Sequence, residues 1–372
     1  MFFLKRLPKF VRENLVFVIA LCAALATSLL IPPDRAYLGY FDFRTLTCLF
    51  CTLAVVGALG DIGFFYALAR DIVRRFSTLR TAVLALVVIT FLGSMLIAND
   101  MALLTFLPLG YYVLHATKHE EKMAFTFIMQ NIAANLGGML TPFGNPQNLF
   151  LYSRFSIPTG EFMSIMLPPF LLSVSMIAAC CVLFVPAEPL ALSGEMPRLP
   201  RARTAAYLTL FVYSIVIVFR LIPYLTGLIV IPLALWFLDR GALLRVDYPL
   251  LGTFAAFFVF AGNMGRVGAV RSFFASLLEK NTLLVSVLSC QCISNVPSAI
   301  LLSQFTENYA DLLVGVNIGG CGTIIASLAS LITFRSFLCH RPMDGKRYFA
   351  CFSAFNFAFL LILCAAMLWL RR

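Results

Sequence analysis

Charge is what this sequence has least of. Asp, Glu, Lys and Arg make up 12% of its 372 residues, where soluble domains carry roughly 25%. A chain that is 61% hydrophobic cannot cover its apolar surface with so few charges, which excludes a soluble globular class and calls for a bilayer. Histidine is scarcer still, at three residues, and none is spaced with Cys as a zinc site requires. There is no HExxH, no nucleophile elbow and no P-loop. Those absences exclude the matching hydrolase chemistry and direct ATP coupling within this chain, and with no titratable dyad the chain reads as a non-enzyme without a cofactor. Cysteine is not rare, but most of the eleven lie in apolar runs, such as Cys22, Cys48, Cys180, Cys181 and Cys364. There a thiol acts as a small hydrophobe, and no disulfide framework is visible.

What is present is apolar length, enough for about ten spans of ~20 residues. The net charge of +11 is read as the Lys/Arg excess of cytoplasmic loops rather than as a nucleic-acid surface. Lys5, Arg6, Lys9 and Arg12 precede an apolar run from Leu15 to Ile31. Ala24-Leu25-Ala26 resembles a signal-peptide cleavage site, but the run continues far enough to span and is taken as a retained helix.

The polar residues concentrate in one place. Residues 131–149, NIAANLGGMLTPFGNPQNL, hold four Asn, one Gln, one Thr, three Gly and two Pro. A membrane helix breaks its hydrogen bonding at such a place only where the freed groups line a cavity or meet a polar partner. At an offset of 182, Asn135-Leu-Gly-Gly-Met-Leu-Thr141 lies over Asn317-Ile-Gly-Gly-Cys-Gly-Thr323, Asn145 over Ser327, and Asn148 over Ser330. Each segment follows an apolar stretch interrupted by a polar tip, Asn99-Asp100 in the first half and Ser294-Asn295 in the second. The arms beside the first tip, Thr81–Ala98 and Met101–Leu114, suit a re-entrant hairpin. Thr282–Cys292 and Pro297–Phe305 suit a second. With the N-terminus in the cytoplasm and each hairpin returning to its own side, most Lys and Arg fall on the cytoplasmic face, as the positive-inside rule asks.

The expected fold is therefore an all-α polytopic membrane protein. It has about nine spans plus two re-entrant hairpins, in two inverted repeats with broken helices, the pattern that points to a secondary transporter with a midplane site. Residues 1–40 form an N-terminal membrane helix, 41–185 the first repeat, 186–203 a cytoplasmic loop, 204–246 connecting helices, 247–345 the second repeat and 346–372 a C-terminal helix.

The candidate site follows from the tips and breaks. Asp100 is a carboxylate at membrane depth, which is costly unless it meets a cation, a proton or water. Its alternative role is to cap the helix that starts at Met101. Ser294 and Asn295 cap a helix at Pro297 or leave N–H groups and a positive helix end for an anion, with Asn99 facing Asn295. Thr141, Gly144, Asn145 and Asn148 at the first break, and Asn317, Thr323 and Ser327 at the second, complete the set. Asn135 shares a helix face with Asn131, and the alternative for that face is interhelical hydrogen bonding. A Na⁺ is expected near Asn99, Asp100 and Asn145. Asp61 and Asp71 are read as interfacial or paired, Arg220 and Arg266 as snorkelling, and Cys290, Cys292 and Cys321 as apolar filler rather than a metalloid site.

At Asn99-Asp100-Met101-Ala102, at Thr141-Pro-Phe-Gly-Asn-Pro-Gln-Asn148 and at Ser294-Asn295-Val-Pro297-Ser298 the chain resembles the ion transporter superfamily. Within it, the likeness is to the arsenite permease, sodium/proton antiporter and citrate-transporter-like group. The Asn-Asp-x-Ala tip is similar to arsenite permeases, and Thr141–Asn148 is similar to a bacterial inner-membrane branch of the group. The resemblance implies paired inverted repeats, elevator-like movement of a transport unit against a scaffold, and a homodimer. It further implies ion-coupled transport, by H⁺ or Na⁺, of a small anionic or metalloid solute. The group's dicarboxylate carriers use Ser-Asn-Thr at both tips. Ala98-Asn99-Asp100 and Ser294-Asn295-Val296 depart from that and favour cation or proton coupling, or export of a small inorganic species. The alternative is a Na⁺/H⁺ antiporter with no organic substrate.

Overall fold

The computed structural model describes residues 14–73, 75–189 and 199–371. Lys5, Arg6, Lys9, Arg12, Arg74 and the middle of the 186–203 loop lie outside these residues. Among the described residues the regular elements are helices, and the one β pairing is an isolated bridge between Thr78 and Pro189. The protein is an all-α polytopic membrane protein. Seven helical stretches are long and apolar enough to cross a membrane, and α1 (Leu15–Leu30) and α10 (Tyr224–Leu238) are apolar but shorter. Large side chains such as Leu29, Leu183, Phe237 and Trp369 stand exposed on the outside, where a lipid-facing surface needs them.

The first half begins with α2 (Phe43–Asp61), whose N-cap Asp42 accepts from the Thr45 N–H at 2.9 Å. The short α3 (Phe64–Val73) leads to α4 (Leu79–Ile97), capped by the Thr78 hydroxyl, and α5 (Asn99–Ala116). Then come α6 (Met123–Gly137), the short α7 (Pro146–Arg154), and α8 (Thr159–Phe184). Helices α9 (Arg201–Val218), α10 and α11 (Arg240–Leu244) connect the halves. The second half repeats the order with α12 (Tyr248–Arg266), α13 (Gly268–Ile293), α14 (Asn295–Leu302), α15 (Tyr309–Ile318), α16 (Leu328–His340) and α17 (Gly345–Leu370).

Two details differ from the sequence reading. The first hairpin has arms of 19 and 18 residues, longer than the arms expected; Asn99 itself turns helical, so no polar residue is lost between them. The second hairpin's first arm is preceded by a helical stretch from Gly268. The chain bends at Asn281, whose φ of −164° and ψ of 93° leave the helical region while its side-chain oxygen caps the Leu284 N–H. Arg271, Glu279 and Lys280 break the hydropathy of this stretch, so a reading by apolar runs passes over it. It corresponds to α3, which also runs into a capped hairpin arm.

The halves interlock crosswise. Helix α5 of the first hairpin packs on α16, and α14 of the second packs on α7. Each hairpin thus leans on the far half of the other repeat's broken helix, which brings tips and breaks to one place.

Candidate functional site

Each hairpin turns on a single residue. Ala98 has φ 63° and ψ 153°, and Ser294 has φ 75° and ψ 159°. Positive φ disfavours any residue with a Cβ, by about 1–3 kcal/mol, so two non-glycine residues sharing this geometry mark equivalent, over-determined turns. The turn puts the next residue at the start of a helix. Asn99 Oδ1 then accepts from the Asp100 N–H at 2.9 Å, and Asn295 Oδ1 from the Val296 N–H, also at 2.9 Å.

The breaks match as closely. Asn145 (φ −136°, ψ 144°) and Ser327 (φ −146°, ψ 142°) are the extended N-caps of α7 and α16. Pro146 opens α7 because its missing N–H has no partner to lose there. Gly144 lies so close to the Gly138 backbone that a Cβ would overlap it. Thr141 Oγ1 donates to the Met95 carbonyl at 2.8 Å, and Thr323 Oγ1 to the Gln291 carbonyl at 3.2 Å. Met95 and Gln291 each stand three residues before their tip, so the same bolt ties each hairpin to its own break.

Side chains from all four segments then join in the buried centre. Asn135 Oδ1 accepts from Asn99 Nδ2 (3.2 Å) and from Ser327 Oγ (2.8 Å), and its carbonyl accepts from Asn145 Nδ2 (3.3 Å). Asn317 Oδ1 accepts from Asn145 Nδ2 and Gln147 Nε2, both at 3.4 Å, while its Nδ2 donates to Asn148 Oδ1 (2.6 Å) and the Leu313 carbonyl (2.8 Å). Asn148 Nδ2 covers the loosened carbonyls of Gly138, Met139 and Thr141. The Asn295 N–H and Ser294 Oγ both donate to the Ala326 carbonyl, at 2.9 and 3.2 Å. No hydrogen bond joins Asn99 to Asn295: Asn99 bonds Asn135, the second tip reaches the second break at Ala326, and Gly320 lies beside both Asn295 and Asn135.

Asn131 belongs elsewhere. It bonds Asn356 on α17 and Thr333 on α16, so interhelical bonding holds for Asn131 while Asn135 joins the centre. Asp100 also stands apart. It caps no N–H of α5 through its side chain, its Oδ1 is buried without a partner, and it lines a separate cavity of about 90 Å³ with Thr52, Phe143, Pro146, Asp247 and Leu328. Among the described residues no group of three or more His, Cys, Asp or Glu is placed to hold a metal ion. Asp61 pairs with Arg245 at 2.7 Å and Asp71 with Arg75 at 2.9 Å.

The two arginines differ from expectation. Arg220 folds back over the Tyr152 ring, 4.0 Å from its centroid, and donates to the Tyr152 carbonyl, because the carbonyl end of α7 attracts a cation. Arg266 pairs with Asp34 at 2.8 Å and bonds the Tyr40 hydroxyl.

Two residues of the site were not singled out from the sequence. Gln147 lay inside the polar stretch, and its spacing two residues after Asn145 was the available signal. Gln291 closes the second hairpin: its Nε2 donates to the carbonyls of Gly319 (2.9 Å) and Cys321 (3.0 Å), and its Oε1 accepts from the Thr323 N–H (2.8 Å). Its counterpart is Met95, so no repeat match could reveal it.

Comparison with known proteins agrees with this architecture. The citrate transporter family model matches residues 1–318. An uncharacterised transporter of Methanocaldococcus jannaschii, MJ0456, is 31% identical over 298 residues, covering 79% of this chain and 81% of that protein. The Escherichia coli inner membrane protein YbiR is 27% identical over 332 residues, covering 86% and 87%. The rice silicon efflux transporter LSI3 is 31% identical over a shorter stretch of 155 residues, 41% of this chain and 31% of that one. The crystal structure of the Alcanivorax borkumensis YdaH transporter shares the fold with a TM-score of 0.58 at 14% identity, covering 95% of this chain and 97% of that one. With two tips and two breaks meeting in a helical membrane bundle, this chain belongs to the citrate transporter family and is a transporter rather than an enzyme.

Proposed function

We propose that this chain carries a small solute, an anion or a metalloid oxyacid, by alternating access coupled to H⁺ or Na⁺. The observation that carries the reading is Asn135. One side chain on the first broken helix bonds the first tip through Asn99 and the second break through Ser327, so a solute seated there touches both halves. Asn99, Asn135, Asn145, Asn148, Ser294, Asn295, Asn317 and Ser327 form the solute site. Thr141, Gly144 and Thr323 hold its frame. Asp100, half-buried at a tip with its Oδ1 covered and without a hydrogen-bond partner, is the group at which the coupling ion acts.

The interlocked hairpins and broken helices form the moving unit, and the repeats run over 41–185 and 247–345 in opposite membrane orientation. The likeness to the inner membrane protein YbiR supports a bacterial inner membrane, and in this reading the protein works there as a homodimer with its N-terminus in the cytoplasm.

The test is reconstitution in liposomes under an imposed H⁺ or Na⁺ gradient, with a panel of radiolabelled anions and oxyacids. Gradient-driven accumulation of a solute supports the proposal. The cavity at Asp100 keeps a second reading open, Na⁺/H⁺ exchange without a solute. Exchange on addition of Na⁺ or Li⁺ alone, with no solute accumulated, favours that reading and removes the first.

A further inference from the structure

We infer that the cavity beside the first hairpin tip is a second ligand site, which takes a small alkylammonium ion and wedges the tip against the helices behind it. Only the effect of such a wedge on transport rests on the transporter reading above; its binding does not.

The cavity of about 90 Å³ lies between two groups of helices. One wall is Leu49, Leu53 and Val56 of α2 with Leu250 of α12. These helices pack chiefly away from the interlocked hairpins, α2 on α9 and α10, and α12 on α1. The other wall is Leu96 and Met101 beside the first tip, with Leu328 and Ile332 of α16. Three polar side chains line the space, Thr52, Asp100 and Asp247, and among the described residues no basic one does. Asp100 Oδ1 is covered while Asp247 is exposed, so the cavity leads from an open carboxylate to a covered one.

All three polar groups present acceptors. The Thr52 hydroxyl donates to the Cys48 and Leu49 carbonyls, at 2.9 and 3.1 Å, which leaves its oxygen to accept. Asp247 Oδ1 accepts from the Leu250 N–H at 2.9 Å as the cap of α12, and Asp100 Oδ1 has no partner. The nearest arginine in sequence, Arg245, is committed to Asp61 and Asp239. The backbone adds no donor at the tip. The Asp100 N–H is taken by Asn99, as the Val296 and Asn295 N–H groups are taken at the second tip, which corrects the expectation of N–H groups left open there for an anion.

Acceptors without donors, two of them carboxylates, call for a cation that carries N–H groups, and an ammonium carries three donors. The walls call for hydrocarbon, since apolar surface gains by contact with apolar surface. A coupling ion at Asp100 uses the carboxylate and leaves those walls uncovered; an anion meets two like charges. Size limits the hydrocarbon. Scaled from the ~150 Å³ cavity that holds benzene, the space takes about four non-hydrogen atoms, a three-carbon chain with its nitrogen. A ligand of that size touches α2 and the first tip together, so it holds the tip in place.

The test uses the full-length protein in nanodiscs, in mildly alkaline buffer of constant ionic strength, with no solute and no ion gradient. n-Propylammonium is compared with 1-propanol, which has the chain without the charge, and with tetramethylammonium, which has the charge without N–H donors. The expected result is a saturable rise in Tm with n-propylammonium alone, half-maximal in the millimolar range, together with several-fold slower hydrogen–deuterium exchange of the peptide covering 95–101. Asp100→Asn is expected to weaken this binding at least about tenfold. Asp247→Asn, whose amide still caps α12, is expected to weaken it about threefold, because that carboxylate is exposed. Leu53→Phe fills the cavity without touching a charge and is expected to abolish it. No saturable rise, an equal rise with 1-propanol or with tetramethylammonium, or binding that either Asp100→Asn or Leu53→Phe leaves unchanged overturns the inference. The comparison of the three compounds needs only the wild-type protein and stands where a variant fails to fold. Failure here leaves the transporter reading intact, and failure of solute accumulation leaves this binding untouched.

Discussion

The two Thr bolts invite an asymmetric perturbation. Thr141→Val and Thr323→Val are close in volume, and each removes one side-chain bond between a hairpin and its break, at 2.8 Å to Met95 and 3.2 Å to Gln291. Their consequences differ because the hairpins are not equally fastened. Near its tip the first is otherwise joined to its break through Asn99 and Asn135 at 3.2 Å, while Gln130 bonds Thr90 and the Phe106 carbonyl farther down the arms. The second keeps Gln291 on the carbonyls of Gly319 and Cys321 and on the Thr323 N–H, and keeps the Asn295 N–H on Ala326. Side-chain bonds inside membranes contribute about 0.6 kcal/mol on average and up to about 1.7. The short, buried Thr141 bond is assigned about 1 kcal/mol, which corresponds to a roughly fivefold rise in opening. In Thr323→Val the surviving bonds must also break for the tip to open, so the rise stays within about twofold. Hydrogen–deuterium exchange of peptides covering 95–101 and 291–297, in nanodiscs, measures both. Equal acceleration at the two tips, or greater acceleration at the second, refutes the claim that the first hairpin is the looser gate.

Other outcomes follow from the same geometry. Asp100→Asn loses no hydrogen bond made by the buried Oδ1, so thermal stability is expected to hold while gradient-driven uptake falls to background; solute counterflow without a gradient separates the two. Gly144→Ala forces a Cβ onto the Gly138 carbonyl and Thr141 Oγ1 and is expected to cost about 1–3 kcal/mol or more as overpacking, read as lost monodispersity or a lowered Tm. The Arg266 guanidinium bonded to Asp34 holds that carboxyl below the usual carboxylate range. Because the folded value lies under the unfolded one, the stabilisation is present above the unfolded value and fades as pH falls through the folded one. Arg266→Gln should therefore lower Tm at neutral pH and narrow its gap to wild type in acid; a gap that stays constant with pH counts against the pairing.

Much of the site was legible in the chain because membrane burial makes polar residues conspicuous. Asn135, Asn145, Asn148, Asn317 and Ser327 stood out against apolar surroundings, and all five meet in one network. Gln291 did not stand out, because its repeat partner is Met95 and its work is done on backbone carbonyls 28 and 30 residues away. Arg220 was misread for a similar reason: nothing local announces the carbonyl end of α7, which only the folded chain brings beneath it.

By itself the sequence determined the solvent, the helical class and the paired breaks. Hydropathy, proline and glycine placement, and the repeat at offset 182 act locally or by simple register, and need no neighbour to be read. Tertiary structure alone decided where the polar atoms point. Asp100 is adjacent to Asn99, yet Asn99 turns into the amide network while Asp100 faces a cavity shared with Asp247. That division depends on the φ of 63° at Ala98 and on helices contributed from both halves of the chain. The central amides take their orientation from Asn317 and Ser327, more than 160 residues beyond the first break, which engage Asn145 Nδ2 and Asn135 Oδ1.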